Sequence, residues 1–174
     1  MIAAALLVLV FVPMLVEAAR AAGNERRQRD RGGIEPPDDV YRAMRVAYPA
    51  LFLAMIGEGL LRGRPATMWI VLGLVCFAAA KAIKWWAIAT LGPAWTFRVI
   101  VVPGAPLVRR GPYRFLRHPN YVGVVGELVG VALAAGAAVS GTIAVVLFGT
   151  LLKRRMAVEE KALDSTARYP PCSL

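Results

Sequence analysis

The stretch Gly111-Pro-Tyr-Arg-Phe-Leu-Arg-His-Pro-Asn-Tyr-Val-Gly123 holds the only histidine of the chain, with two arginines, two tyrosines and two prolines close by. Imidazole, phenol and guanidinium groups at this density suit recognition of a polar, charged ligand. Pro119 fits the first turn of a helix, where a missing N–H costs nothing, and this puts His118 near the N-cap. The free N–H groups and positive dipole end of that helix form an anion site, supplemented by Arg114 and Arg117, at which a carboxylate or phosphate of a soluble cofactor could dock. The same residue types also anchor a helix among lipid headgroups, and this stretch alone leaves the two readings even.

Two further sets of residues could do chemistry. In the apolar run that follows, Asn120, Gly123, Glu127 and Gly130 share one helical face by their 3-4-3 spacing. Gly126 and Gly130 make a small-xxx-small pair of the kind that lets helices approach in lipid. Glu127, two turns into the run, is an intramembrane ionisable residue and marks a functional site, one suited to accepting a proton. Glu17 and Glu58 make the same demand, although Glu17 lies near a span end. The second set is Lys153-Arg-Arg-Met-Ala-Val-Glu-Glu-Lys-Ala-Leu163, in which Arg155 and Glu159 stand four apart on a helix. They form either a surface ion pair worth about 0.2–0.5 kcal/mol or a site in which Glu159 takes hydroxyls or an ammonium and Arg155 an anion.

The elements that must position these groups are membrane helices. The chain has 174 residues, 58% of them hydrophobic, with a formal charge of +10 and a mean hydropathy of +0.57. Apolar runs alternating with basic clusters are the pattern of a multispanning membrane protein. A hydrocarbon core of roughly 30 Å takes about 20 helical residues, so the length suits four or five spans in one membrane domain. The expected spans are 2–19, 46–61, 68–91, 121–138 and 141–152. The last two meet in a tight hairpin at 138–141, and the fifth helix continues out of the bilayer to Thr166. Residues 1–91 form the N-terminal spans, 92–169 the chemical half and 170–174 a tail. The first run lacks the positive charge that precedes a cleaved signal sequence and is expected to be retained.

Of the 21 lysines and arginines, 19 fall on one face of a five-span arrangement. Positive-inside bias makes that face cytoplasmic and puts the N-terminus outside. Residues 81–117 carry seven bases and no acid, a positive loop suited to an anionic ligand. Membrane topology accounts for the basic charge, so nucleic acid is not an expected partner. Cys76 and Cys172 have no metal-ligand spacing or evident disulfide partner, and no metal site is expected. Trp85, Trp86, Trp95 and Phe97 flank the basic loop and are expected mainly in the interfacial belt, with one or two lining a mouth for a lipid-like substrate.

The motifs Leu107-Val108, Gly111-x-Tyr113, Arg117-His-Pro-x-Tyr121-x-Gly123 and Arg155-x-x-x-Glu159-Glu160-x-x-Leu163 resemble the isoprenylcysteine carboxyl methyltransferase family, from about Leu91 to Tyr169. The resemblance implies an all-α polytopic fold of about five spans and S-adenosyl-L-methionine as cofactor. It implies cofactor contacts from Ala105, Pro106, Leu107, Val108, Tyr113, His118, Pro119, Asn120, Tyr121 and Glu159, with Arg155 on the substrate. The family commonly has histidine where this chain has Ala105, which leaves backbone contacts at that position.

Within the family, the Leu91-Gly-Pro-Ala-Trp95 stretch, the 102–108 loop and Asn120-Tyr-Val…Glu127 look closest to a bacterial branch linked with type III polyketide synthases. That likeness implies O-methylation of a lipophilic acceptor, the ring hydroxyl of a long-chain alkylpyrone or alkylresorcinol, with Arg155 holding it and Glu127 assisting its deprotonation. Carboxyl methylation of a prenylated cysteine or similar acid is the first alternative. An NADPH-dependent enzyme similar to membrane sterol reductases is the second, and a cationic membrane scaffold the non-enzymatic one. Membrane lipids are the expected surroundings, and the oligomeric state is left open.

Overall fold

Long apolar runs with few helix breakers fold here into five helices: α1 (Ile2–Asp30), α2 (Tyr41–Arg62), α3 (Thr67–Leu91), α4 (Pro119–Ala135) and α5 (Ala138–Arg168). The computed structural model describes the backbone of residues 2–168 and the side chains of residues 2–163; Cys172 and the 170–174 tail lie outside them. Among the described residues there is no strand, only a backbone bridge between Ile34 and Val101. The fold is all-α, and α1, α2 and α3 are each long and apolar enough to cross a membrane. α4, with 17 residues, is roughly 25 Å long at 1.5 Å per residue and shorter than the other three. α1, with 29 residues, extends well past the expected end at residue 19. Part of the basic 20–45 segment is therefore helix.

The helices run alternately between two ends of the bundle. At one end Glu58 of α2 caps α5, accepting hydrogen bonds from Val139 N–H at 3.1 Å, Ser140 N–H at 2.6 Å and Ser140 Oγ at 2.5 Å. The first N–H groups of a helix have no intrahelical acceptor, so this intramembrane acid is a cap supplied by a neighbouring helix. The hairpin turn lies at Gly136 and Ala137, just ahead of the expected 138–141. Gly136 takes the left-handed conformation at φ 69° and the Ala137 N–H returns to the Ala132 carbonyl, the glycine-dependent way to close a helix. At the other end α1, the 31–40 segment, the 92–118 segment and the outer half of α5 come together.

α3 and α4 make the closest helix pair, through glycine. A Cβ added to Gly130 would stand 2.7 Å from the Phe77 backbone nitrogen, one on Gly126 2.7 Å from Ala80 Cβ, and one on Gly123 2.8 Å from Lys84 Cβ. The expected small-residue packing is present, and Cys76 sits in the same seam with Sγ 3.6 Å from the Gly126 carbonyl oxygen.

That seam brings together the buried charges. Glu17 of α1 and Glu127 of α4 are each 1% exposed, and both are held by lysines of α3. Lys81 Nζ lies 2.9 Å from Glu17 and 3.1 Å from Glu127; Lys84 Nζ lies 2.6 Å from Glu17 and 3.3 Å from Glu127. Tyr48 of α2 donates to Glu127 Oε2 at 2.7 Å. Two ammonium groups and two carboxylates balance, and four helices are tied. The positive segment expected at 81–117 is correspondingly smaller, because Lys81 and Lys84 already have carboxylate partners inside the bundle.

Two outcomes follow for stability. Gly130→Ala forces a methyl against the α3 backbone and lowers unfolding stability by about 1–3 kcal/mol, whereas Gly57→Ala, inside α2 with nothing within 4 Å, raises it by about 0.5–1 kcal/mol; denaturant titration in detergent separates them. Lys84→Met leaves a buried carboxylate short of a partner and costs about 3–5 kcal/mol. Adding Glu17→Gln to it restores part of the loss in the same titration.

Candidate functional site

The entrance to α4 forms as the sequence indicates, with Pro119 at the first helical position and His118 as the N-cap. His118 stacks on Tyr121, ring centroids 5.2 Å apart and planes 13° apart. Its imidazole faces α5, with Nδ1 3.8 Å from Glu159 and Nε2 3.5 Å from Glu160. The two motifs, separated by a whole helical hairpin in sequence, meet at one end of the bundle.

Tyr121 joins them. Its hydroxyl donates to Glu159 Oε2 at 2.8 Å and accepts from Arg155 Nε at 2.9 Å. Of the two readings of Arg155 and Glu159, the surface ion pair does not form: a phenol from another helix stands between them. Arg155 is buried, 6% exposed, and its Nη1 lies 3.3 Å from Asp39 Oδ1. Asp39 was not among the sequence candidates; its only sequence signal was a carboxylate just ahead of a helix. Tyr113 belongs to the same end, where burial and the nearby Glu159 carboxylate push its phenol well above the usual range.

The site differs from the sequence reading in its charge. Arg117 is exposed and reaches Glu160 at 3.4 Å, while Arg114 lies over the Phe115 ring. The α4 N-terminus therefore faces the carboxylates of α5, not an added pair of arginines. The helix dipole favours those acids at that position, and the long continuation of α5 delivers them there. Ala105 ends a turn closed by its N–H to the Val102 carbonyl at 3.1 Å; it and the Pro106 and Leu107 that follow are exposed, with Val108 half-buried. No described contact joins these four residues to His118 or Glu159.

Glu127 sits in the ion cluster, apart from the Tyr121 relay. Trp95 is buried, packed with Ala21 and Ile88 and edge-on to Phe97 at 5.2 Å, so this tryptophan is core, whereas Trp86 is 51% exposed. The loop between α3 and α4 is clipped to the N-terminal segment. Asn24 donates to the Gly92 and Trp95 carbonyls, Gln28 to that of Pro93, and Arg98 pairs with Glu25 and Glu35.

A bundle of membrane-crossing helices with a polar, aromatic site at one end defines an integral membrane protein. The chain belongs to the isoprenylcysteine carboxyl methyltransferase (ICMT) family, whose pattern it matches over residues 71–165; the family's reaction is methyl transfer, with S-adenosylmethionine as its cofactor. It is 31% identical over 160 residues to the uncharacterized protein YpbQ of Bacillus subtilis, spanning 91% of this chain and 95% of that one. It is 25% identical over 120 residues to an uncharacterized protein of Haemophilus influenzae, spanning 68% of this chain and 70% of that one. No solved structure matches it.

The residues present fit the cofactor. His118 Nε2 and Asn120 Oδ1 are buried without a hydrogen-bond partner, and buried polar atoms are ordinarily paired. An ammonium, amine or hydroxyl donor suits Asn120 Oδ1, and a hydroxyl suits the imidazole nitrogen. Tyr121→Phe removes the hydroxyl that serves both Arg155 and Glu159. Its unfolding free energy should fall by about 1–3 kcal/mol, with the helical content by circular dichroism retained.

Proposed function

We propose that this protein is an S-adenosylmethionine-dependent membrane O-methyltransferase whose acceptor is a ring hydroxyl on a long-chain lipid of the alkylpyrone or alkylresorcinol class. The observation that carries this reading is the Tyr121 hydroxyl held between Arg155 and Glu159, because it joins the two motif segments into one site beside His118. S-adenosylmethionine, when bound, supplies a methyl group already activated on a sulfonium, so the protein's work is mainly alignment and electrostatics.

His118, Asn120 and Glu159 would hold the polar groups of the cofactor, with Tyr113 and Tyr121 supplying aromatic faces that favour a cation. The residues at 105–108 would close over it through their backbone. Arg155 would orient the acceptor oxygen. The charge at the site favours a hydroxyl over a carboxylate acceptor. Asp39, Glu159 and Glu160 face Arg117, Arg155 and His118, and both guanidiniums already have carboxylate neighbours. An anionic acceptor would enter without an uncommitted cation, whereas a cationic sulfonium suits an acid-lined entrance. A hydroxyl acceptor gives up its proton as its oxygen is methylated; Glu159, the carboxylate at the relay, is the acceptor assigned here, and Glu127 is assigned to holding the helices.

We place this end of the bundle in the cytoplasm and the N-terminus outside. With Lys81 and Lys84 set aside, 17 of the 21 basic residues belong to segments at this end and two, Arg62 and Arg64, to the other, the asymmetry of the positive-inside rule.

Calorimetric titration of the detergent-solubilised protein with S-adenosylhomocysteine and with NADPH should give binding to the first alone; binding of NADPH alone would move the protein to reductase chemistry. Labelled methyl transfer to alkylpyrones, alkylresorcinols and prenylcysteines should yield a base-stable ether, and a base-labile ester would identify a carboxyl acceptor. Glu127→Gln should lower stability while folded protein keeps its turnover. Lost turnover at unchanged stability and cofactor affinity would return the proton to Glu127.

A further inference from the structure

We propose that Asp39 is a positioning residue for Arg155 and that it couples the α3–α4 loop to the same site. The proposal rests on the methyl-transfer reading of that site and adds to it a residue outside the matched segment 71–165. Asp39 precedes α2, and its side chain is 4% exposed. Its Oδ1 accepts from the Tyr41 N–H at 3.0 Å and lies 3.3 Å from Arg155 Nη1. Its Oδ2 accepts from the Val99 N–H at 2.8 Å. One carboxylate thus touches the start of α2, the loop and the buried arginine of α5.

The consequence for Arg155 follows from its shape. A guanidinium is a rigid planar fork. Here Nε is bonded to Tyr121 and Nη1 to Asp39, so two corners are held and the direction of the third is set. Without Asp39 the head could rotate about Nε, and a buried cation would lose its carboxylate.

The loop side is equally specific. Ile34 and Val101 exchange two backbone hydrogen bonds, at 2.9 and 3.0 Å. Arg98 reaches Glu35 and stacks over Tyr41, 4.7 Å from the ring centroid. Residues 34–41 and 98–101 are therefore closed against each other, and the Asp39–Val99 bond is the closure that also reaches Arg155. A loop that opened at Val99 would release one oxygen of the group that aims the arginine. The position of the loop and the aim of Arg155 are set together.

The test compares wild type, Asp39→Asn and Asp39→Glu as full-length protein in detergent. Labelling of Arg155 by phenylglyoxal, followed by mass spectrometry, reads the freedom of the guanidinium without reference to activity. In D39N, labelling should accelerate several-fold and kcat should fall by about 100-fold, the loss that a small misplacement remote from the reacting atoms can produce. The Kd for S-adenosylhomocysteine should stay near the wild-type value. D39E keeps the charge but moves it by one methylene, and should fall between wild type and D39N in both readouts.

Wild-type labelling and turnover in D39N would overturn the proposal, as would parallel loss of turnover and cofactor affinity at unchanged labelling. If D39N does not fold, D39E decides alone: faster labelling with lower kcat supports the role, and wild-type values in both refute it. A wild-type protein that binds no S-adenosylhomocysteine would remove the methyl-transfer reading, while the labelling comparison would still decide whether Asp39 holds Arg155.

Discussion

Charges buried in a membrane bundle must be neutralised by one another, because neither water nor lipid is there to solvate them. In this protein that constraint is met by Glu17, Lys81, Lys84 and Glu127, with Tyr48 completing the shell of Glu127. The four ionised groups come from α1, α3 and α4, and the phenol from α2. Any one helix that shifted along its axis would strand a charge. The cluster thus acts as a register pin for most of the bundle, and the glycine seam between α3 and α4 is what lets Lys84 come close enough to take part in it.

The same pinning governs the site. α4 presents its glycines and Glu127 to α3, which leaves Tyr121, nearer the helix entrance, to face α5. There it meets Arg155 and Glu159, whose separation of one helical turn matches a hydroxyl that accepts from one and donates to the other. α5 is itself set at its far end by Glu58, which caps its first N–H groups. Two carboxylates, one near the end of α2 and one inside α4, therefore hold helices whose outer ends make the site.

Charge at the site is arranged differently from charge along the chain. The segment between α3 and α4 is rich in arginine, yet the groups that face His118 are the acids Glu159 and Glu160 of α5, while Tyr121 lies between Glu159 and Arg155, whose own partner is Asp39. The arginines of the segment turn outward or to partners in the N-terminal segment, as Arg98 does with Glu25 and Glu35. The acids of α5 at the start of α4 thus sit beside a segment whose Arg109, Arg110, Arg114 and Arg117 are exposed.

Much of this was legible in the amino-acid order. Hydropathy marked the apolar helices, Pro119 and His118 the start of α4, Gly126 and Gly130 a close-packing face, and the Arg155–Glu159 spacing one face of α5. These are properties of neighbours within a helical turn or two, where local geometry decides. The order of residues could not say which acid serves which helix. Glu17, Glu58 and Glu127 are all acids in apolar runs, and only packing made two of them partners of the α3 lysines and the third, paired locally with Arg62, a cap on α5. Nor could it turn Lys81 and Lys84 inward, bring Asp39 across 116 positions to Arg155, or send the Tyr121 hydroxyl between two residues of another helix. Each of those depends on which faces of separate helices meet, and long-range pairing of that kind is set by burial and charge balance over the whole bundle, not by any local run.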